Sequence, residues 1–198
     1  MFKKITLTLI ALIAAASISN AQHVNVAKAY GYSPLFVEGV VGANAVYDAK
    51  KLTSFTPGGQ IAIGYQFLPQ VLIRGSVQLG SAKPLMLNDG WFTENTFFRA
   101  GVAFDIAWDI INTIDEDNVK DFYHIQPYLR FQEMFGIAKE KSVAAFVAGA
   151  GLRNTFKLSD KLDAVLDLNA VLSRERNWHE SAGYFIFVYA GAGIAYKF

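Results

Sequence analysis

From about residue 35 onward, apolar and polar positions alternate with a period of two, the spacing of β-strands whose two faces meet different surroundings. The last segment shows this most clearly. Tyr184, Ile186, Val188, Ala190, Ala192, Ile194, Tyr196 and Phe198 form one apolar row, while Gly183, Gly191, Gly193, Ala195 and Lys197 fall on the other face. In the preceding segment Leu162, Ala164, Leu166, Leu168, Ala170 and Leu172 oppose Lys161, Asp163, Asp167, Asn169 and Ser173. Earlier, Val71, Ile73, Val77 and Leu79 oppose Arg74, Ser76 and Gln78, and Phe98, Val102, Phe104, Ile106 and Trp108 oppose Arg99, Asp105 and Asp109. Ile125, Leu129, Phe131 and Phe135 oppose His124, Gln126, Arg130 and Gln132, with Glu133 as an exception on the apolar face.

The pattern predicts eight strands at 35–48, 59–67, 70–80, 92–109, 124–137, 142–157, 161–173 and 183–198. An even count of alternating strands suits an all-β, eight-stranded antiparallel up-and-down transmembrane barrel, with one face in lipid and the other in a narrow polar lumen. The same period also fits a sandwich, or a soluble barrel with its apolar face turned inward around a ligand. Placement of the charges favours the lipid-facing reading, because the inverted form puts Arg74, Arg99, Arg130 and Asp167 outside. Short turns are expected near Leu68-Pro69 and Ser159-Asp160. Longer outer loops are expected at 49–58, 81–91 and 174–182, with Gly58-Gly59 ending the first. Two connections break this alternation: 138–141 is short for an outer loop, and 110–123 is long for an inner one and reads as a short helix or turn at the periplasmic rim.

Composition sharpens the picture at the N-terminus. Lys3 and Lys4 precede an apolar run from Ile5 to Ala16, followed by small residues to Ala21, the order of a secretory signal peptide. The run Leu7 to Ile18 falls short of the roughly 20 apolar residues that a spanning helix needs. The expected organisation is a cleaved signal peptide over 1–21, an N-terminal periplasmic segment over 22–34 and a barrel domain over 35–198. Without its two signal-peptide lysines the chain carries 16 basic and 17 acidic residues, a formal net charge of −1, and nothing points to a nucleic-acid partner. The absence of cysteine excludes a lipoprotein anchor, disulfides and thiolate metal sites.

Strand parity gives the lumen Glu38, Asp105, Asp109, Asp163 and Asp167 against Arg74, Arg99, Arg130, Arg153, Lys157 and Lys197. The interior of an eight-stranded barrel is just wide enough for side chains to fill it, so these charges are expected to pair in a polar core.

The stretches Phe104-Asp105-Ile106-Ala107-Trp108 with Gln126-Pro127-Tyr128, Lys157-Leu158-Ser159-Asp160-Lys161-Leu162-Asp163 and Gly193-Ile194-Ala195-Tyr196-Lys197-Phe198 resemble the membrane domain of OmpA-like outer-membrane proteins of Gram-negative bacteria. The resemblance covers most of the mature chain. It implies contact with outer-membrane lipid and lipopolysaccharide, and a C-terminal signal at Tyr196 and Phe198 read by the barrel-assembly machinery. The peptidoglycan-binding domain that follows many such barrels does not follow Phe198, so a cell-wall tether is not implied.

Chemistry-bearing residues are few. His23 and His124 read as incidental, whereas His179 and Ser181 match the His-x-Ser pair of PagL-type lipid A deacylases, in which His is the general base for a Ser nucleophile. No acid follows Glu180 to complete a triad, although Glu175 or Glu180 could substitute, and 174–181 reads better as a solvated outer loop with Trp178 at the membrane interface. Asp115-Glu116-Asp117 lacks the alternate oxygen ligands of a calcium loop, and no glycine pair forms a phosphate-binding loop, so no cofactor is expected. The leading expectation is a non-enzymatic barrel that supports the envelope or presents its outer loops to an extracellular partner. A narrow pore and a lipid A-modifying hydrolase are the alternatives.

Overall fold

The computed structural model describes residues 35–48, 51–82, 97–114, 122–137, 142–174 and 184–198. Eight strands occupy nearly all of them: β1 Leu35–Asp48, β2 Lys51–Leu68, β3 Val71–Ala82, β4 Phe97–Trp108, β5 Tyr123–Ile137, β6 Ser142–Lys157, β7 Leu162–Arg174 and β8 Tyr184–Lys197. A short helix, α1 Ile110–Ile114, follows β4. The expected signal peptide (1–21), the segment 22–34, most of the expected outer loops 81–91 and 174–182, the first residues (92–96) of the strand expected at 92–109, the connection 138–141, the acidic stretch 115–117, and His23, Glu175, Trp178, His179, Glu180 and Ser181 lie outside the described residues.

The strands close into one antiparallel barrel in sequence order. Closure comes from β1 and β8, paired from Phe36↔Lys197 to Asp48↔Phe185. Every strand thus has two neighbours, and the backbone polar groups that would otherwise face a bilayer are satisfied within the sheet. At the closing seam glycines let the backbones approach: a Cβ at Gly193 would collide with the carbonyl of Gly39, and one at Gly42 with that of Ala190.

Parity falls as the alternation predicts. Val41, Ile61, Leu129, Phe146, Leu168 and Ile194 face outward, Val41 and Phe146 being 75% and 73% exposed. Arg74, Asp105, Arg130 and Asp167 face inward and are buried. The inverted arrangement of a soluble ligand-binding barrel is therefore excluded. Glu133 keeps its outward position, level with Val102 on β4 and Phe146 on β6.

The structure corrects three local expectations. Most of 49–58 is strand and not loop, because β2 begins at Lys51 and pairs along β1, with Pro57 opposite Ala43 and Gly58 opposite Gly42. Pro57 and the glycines read as punctuation in sequence, yet here they sit in paired backbone. Secondly, the lumen is less polar than the charged positions suggest. The odd positions of β8 place Phe185, Phe187 and Tyr189 inside, where the first two join Val46, Met134, Ala145, Val147 and Val171 in an apolar layer. A second layer gathers Phe36, Val40, Leu72, Ala107, Tyr128, Val165, Tyr189 and Ala195.

At the end of the barrel that holds the short turns, the Leu158–Leu162 turn is tied by Leu158 N and Ser159 N donating to Leu162 O at 2.9 Å each. Lys157 was expected in the lumen, but its Nζ pairs with Asp160 in this turn at 2.8 Å and is partly exposed. That pairing holds the Asp160 carboxyl below the usual carboxylate range.

Candidate functional site

The polar lumen is the candidate site, and its geometry starts from strand register. Arg74 on β3 stands opposite Asp105 on β4, which stands opposite Arg130 on β5, so three adjacent strands offer charges of alternating sign at one level. Arg74 Nε donates to Asp105 Oδ2 at 2.9 Å, and Arg130 Nε donates to Asp105 Oδ1 at 2.7 Å. Arg130 Nη2 reaches both Asp105 Oδ2, at 2.8 Å, and Gln60 Oε1, at 3.1 Å.

From this row the network crosses the barrel. Arg74 Nη1 donates to Glu38 on β1 and, at 2.6 Å, to Asp167 on β7. The second Glu38 oxygen accepts from Arg153 Nε at 2.8 Å, and Arg153 Nη1 donates to Gln126. Asp167 Oδ1 also accepts from the Tyr128 hydroxyl at 2.6 Å. The Tyr128 ring lies beneath two guanidinium groups, 4.8 Å from that of Arg74 and 5.3 Å from that of Arg130. Glu38, Asp105 and Asp167 thus meet Arg74, Arg130 and Arg153, three charges of each sign. Buried charge of this kind persists when each member is paired and hydrogen-bonded; Asp105 and Arg130 are both 0% exposed.

Not all of the residues expected in one network are in it. Asp163 and Lys197 form a separate, partly exposed pair at 2.8 Å. Asp109 sits below the central cluster. Its Oδ2 accepts from Gln126 Nε2 at 2.8 Å and lies 3.0 Å from His124 Nδ1, which places His124 at the rim beside Asp109. Asp109 Oδ1 accepts from Asn112 N at 3.1 Å, the N-cap bond that starts α1, while Asn112 Nδ2 donates to Pro69 O at 2.7 Å and ties the helix to the β2–β3 turn. The rim helix expected within 110–123 is present, and it is held under the barrel by Asp109.

Arg99 differs from every other arginine of the lumen. Its Nη2 donates to Asn44, and its guanidinium lies 5.1 Å from the Phe187 ring, but no carboxylate among the described residues pairs with it. Sequence parity counted one more base than acid; the extra base is Lys157, which pairs with Asp160 outside the lumen, and parity gave no sign that Arg99 would face no carboxylate among the described residues.

Tyr196 and Phe198 lie on the outward face at the closing seam with their rings edge-to-face at 5.2 Å, and Phe198 N donates to Leu35 O at 3.1 Å. Around the same end of the barrel, Trp108, Phe122, Tyr123 and Phe156 add outward aromatic surface, with Tyr123 stacked on Phe156 at 4.7 Å. Tyr47, Phe55, Phe98 and Phe146 face outward toward the opposite end.

Neither a family model nor a curated protein matches the sequence. Solved structures do match the fold. Neisserial surface protein A is 9% identical with a TM-score of 0.59, over 83% of this chain and 97% of that one. OprG from Pseudomonas aeruginosa is 8% identical with a TM-score of 0.53, over 84% and 96%. Ail, the attachment invasion locus protein of Yersinia pestis, is 12% identical with a TM-score of 0.51, over 84% and 99%. The fold is that of the eight-stranded outer-membrane β-barrels. Within that fold, an outward apolar surface between aromatic rows and an inward ionic network are what a bilayer outside and a side-chain-filled lumen require.

Proposed function

We propose that the chain is an integral outer-membrane barrel, non-enzymatic, which acts as a stiff and plugged frame that supports the envelope and carries its outer loops toward an external partner. One observation carries this reading: side chains block the lumen twice, by the cross-barrel network of Arg74, Asp105, Arg130, Arg153, Glu38 and Asp167, and by the apolar layer around Phe185 and Phe187. A narrow pore needs hydrated, unpaired lumen charges along a continuous path. Here the central charges are paired and buried, so a structural frame fits the geometry better. Loop display on a rigid scaffold is how such a frame gains specificity. Outward Tyr196 and Phe198 at the seam remain accessible to the assembly machinery before the barrel enters lipid.

The test is electrical recording from the folded barrel in planar bilayers, after outer-membrane fractions have been checked for a heat-modifiable band. The frame reading expects membrane residence, with a band shifted in the unheated sample, and no steady ionic current. A steady, salt-dependent conductance overturns it in favour of the pore.

A further inference from the structure

Glu133 interrupts the outward apolar surface. Its register partners on that face are Val102 on β4 and Phe146 on β6, while Phe131 and Phe135 stand two residues away on its own strand. Among the described residues that face outward between the two aromatic rows, it is the one charged side chain. A charge set deep in hydrocarbon is expensive, so the height of Glu133 in the barrel decides what it meets.

Strand register gives that height. Followed once round the ring from Glu133, paired residues lead through Val102, Ile61, Ile194 and Phe156 back to Tyr123 on the same strand. One circuit therefore descends β5 from position 133 to position 123, a shear of ten residues. At a strand tilt of about 40° each residue adds about 2.5 Å of height, so Glu133 stands about 25 Å above Tyr123. The apolar band of a membrane barrel is also about 25 Å tall. Tyr123, stacked on Phe156, belongs to the aromatic row at the end with the short turns, and Glu133 accordingly marks the opposite border, where hydrocarbon gives way to lipid headgroups.

Headgroups carry phosphates and, in some lipids, ammonium groups. The surroundings of Glu133 reject the first and suit the second. A carboxylate repels phosphate but accepts charge-assisted hydrogen bonds from a primary ammonium. Side chains directly opposite on one face of a sheet have Cβ atoms about 4.5–5.5 Å apart, so phenyl groups border the carboxylate across the strand pair and on both sides along β5. Their electron-rich faces attract an alkylammonium. Phe146 and Phe131 are 73% and 41% exposed, open to whatever surrounds the barrel.

We propose that Glu133, with Phe131, Phe135 and Phe146, binds the primary ammonium of an ethanolamine-bearing lipid headgroup at the loop-side border of the membrane. The site rests on the membrane-embedded reading above, and is independent of whether the barrel conducts or displays its loops.

The experiment folds the purified full-length mature barrel into vesicles in which phosphatidylethanolamine replaces phosphatidylcholine, with phosphatidylglycerol and acyl chains held constant, and follows denaturant unfolding by loss of the heat-modifiable band. For one site near saturation, each doubling of the ethanolamine lipid lowers the unfolding equilibrium constant about twofold. Ethanolamine lipids also alter the bilayer as a whole, so the slope that counts is the part lost on substitution. Glu133→Gln is expected to lose it and Phe146→Leu to weaken it, while Asp160→Asn, at an exposed turn, keeps it. Native mass spectrometry of barrels released from the same mixtures is expected to show one ethanolamine lipid retained by the wild type and none by Glu133→Gln. Three results overturn the proposal: the same slope in wild type and Glu133→Gln, equal retention of the choline lipid, or a crystal structure in which Lys139 or Lys141 pairs with Glu133. Failure to fold into any of these vesicles overturns the membrane reading and the site with it, whereas loss of the lipid dependence alone overturns only the site. If Glu133→Gln does not fold, Phe146→Leu and lipid retention by the wild type decide.

Discussion

Arg74 on β3 and Asp167 on β7 stand on strands four places apart in a ring of eight, and their 2.6 Å ion pair therefore spans the lumen at its full width. Because Arg74 also holds Glu38 and Asp105, it joins β1, β4 and β7 to its own strand. Removing one member of such a buried set strands the others. Arg74→Met is expected to destabilise the barrel by about 3–5 kcal/mol, read as a lower denaturant midpoint for loss of the heat-modifiable band. In a double-mutant cycle with Asp167→Leu, the pair is expected to show a coupling of about 0.5–3 kcal/mol. Strict additivity would mean that the cross-lumen contact carries no energy.

Arg99→Met is expected to behave in the opposite way. It strands no carboxylate among the described residues and removes a buried cation, so its denaturant midpoint stays at or above that of the wild type. A loss comparable to that of Arg74→Met would show that Arg99 has an anionic partner within the chain.

At the rim, Asp109 caps α1 and binds Gln126. Asp109→Ala removes both bonds; the cap alone is worth about 0.5–2 kcal/mol. Faster proteolysis near α1 in the detergent-solubilised barrel is the measurement, with Asn112→Ala, which releases the helix from Pro69, giving the same cleavage site.

The outward surface gives a depth-dependent prediction. Leu168→Arg, midway along β7, is expected to cost about 2–4 kcal/mol in phospholipid vesicles, whereas Tyr47→Arg, next to the end of β1, is expected to cost about 0–1 kcal/mol. Equal costs, measured by denaturant unfolding from vesicles, would mean that the membrane does not centre on the outward apolar surface.

Seam glycines supply a steric prediction. Gly193→Val places a side chain against the Gly39 carbonyl and is expected to reduce the folded, heat-modifiable fraction severely, while Gly75→Val, where an added Cβ meets nothing, is expected to fold normally.

The sequence made the strand parity and the charged half of the lumen legible, since a period of two separates Leu166 and Leu168 from Asp167 however uncertain the strand ends are. It concealed the extent of β2, because Pro57 and Gly58 look like a turn until their partners on β1 are known. Phe185 and Phe187 were missed for a related reason: where both faces of β8 are apolar, alternation of polarity vanishes and only the register places these rings inside. Pairing was the least readable level. Arg153 stands opposite Asp167 in the sheet yet bonds Glu38, while Asp167 reaches across to Arg74, a choice made by side-chain reach within a closed ring.

The union of β1 with β8 also sets a timetable. The partner of Phe36 is Lys197, so the first strand to leave the ribosome has to wait for the last before the ring can shut. Contacts this distant in sequence make closure slow, and until then both margins of the sheet can pair with another chain. Safe delivery to the membrane therefore calls for something that shields two unpaired edges throughout transit, a demand that an αα-hairpin or a chain of local contacts would never make.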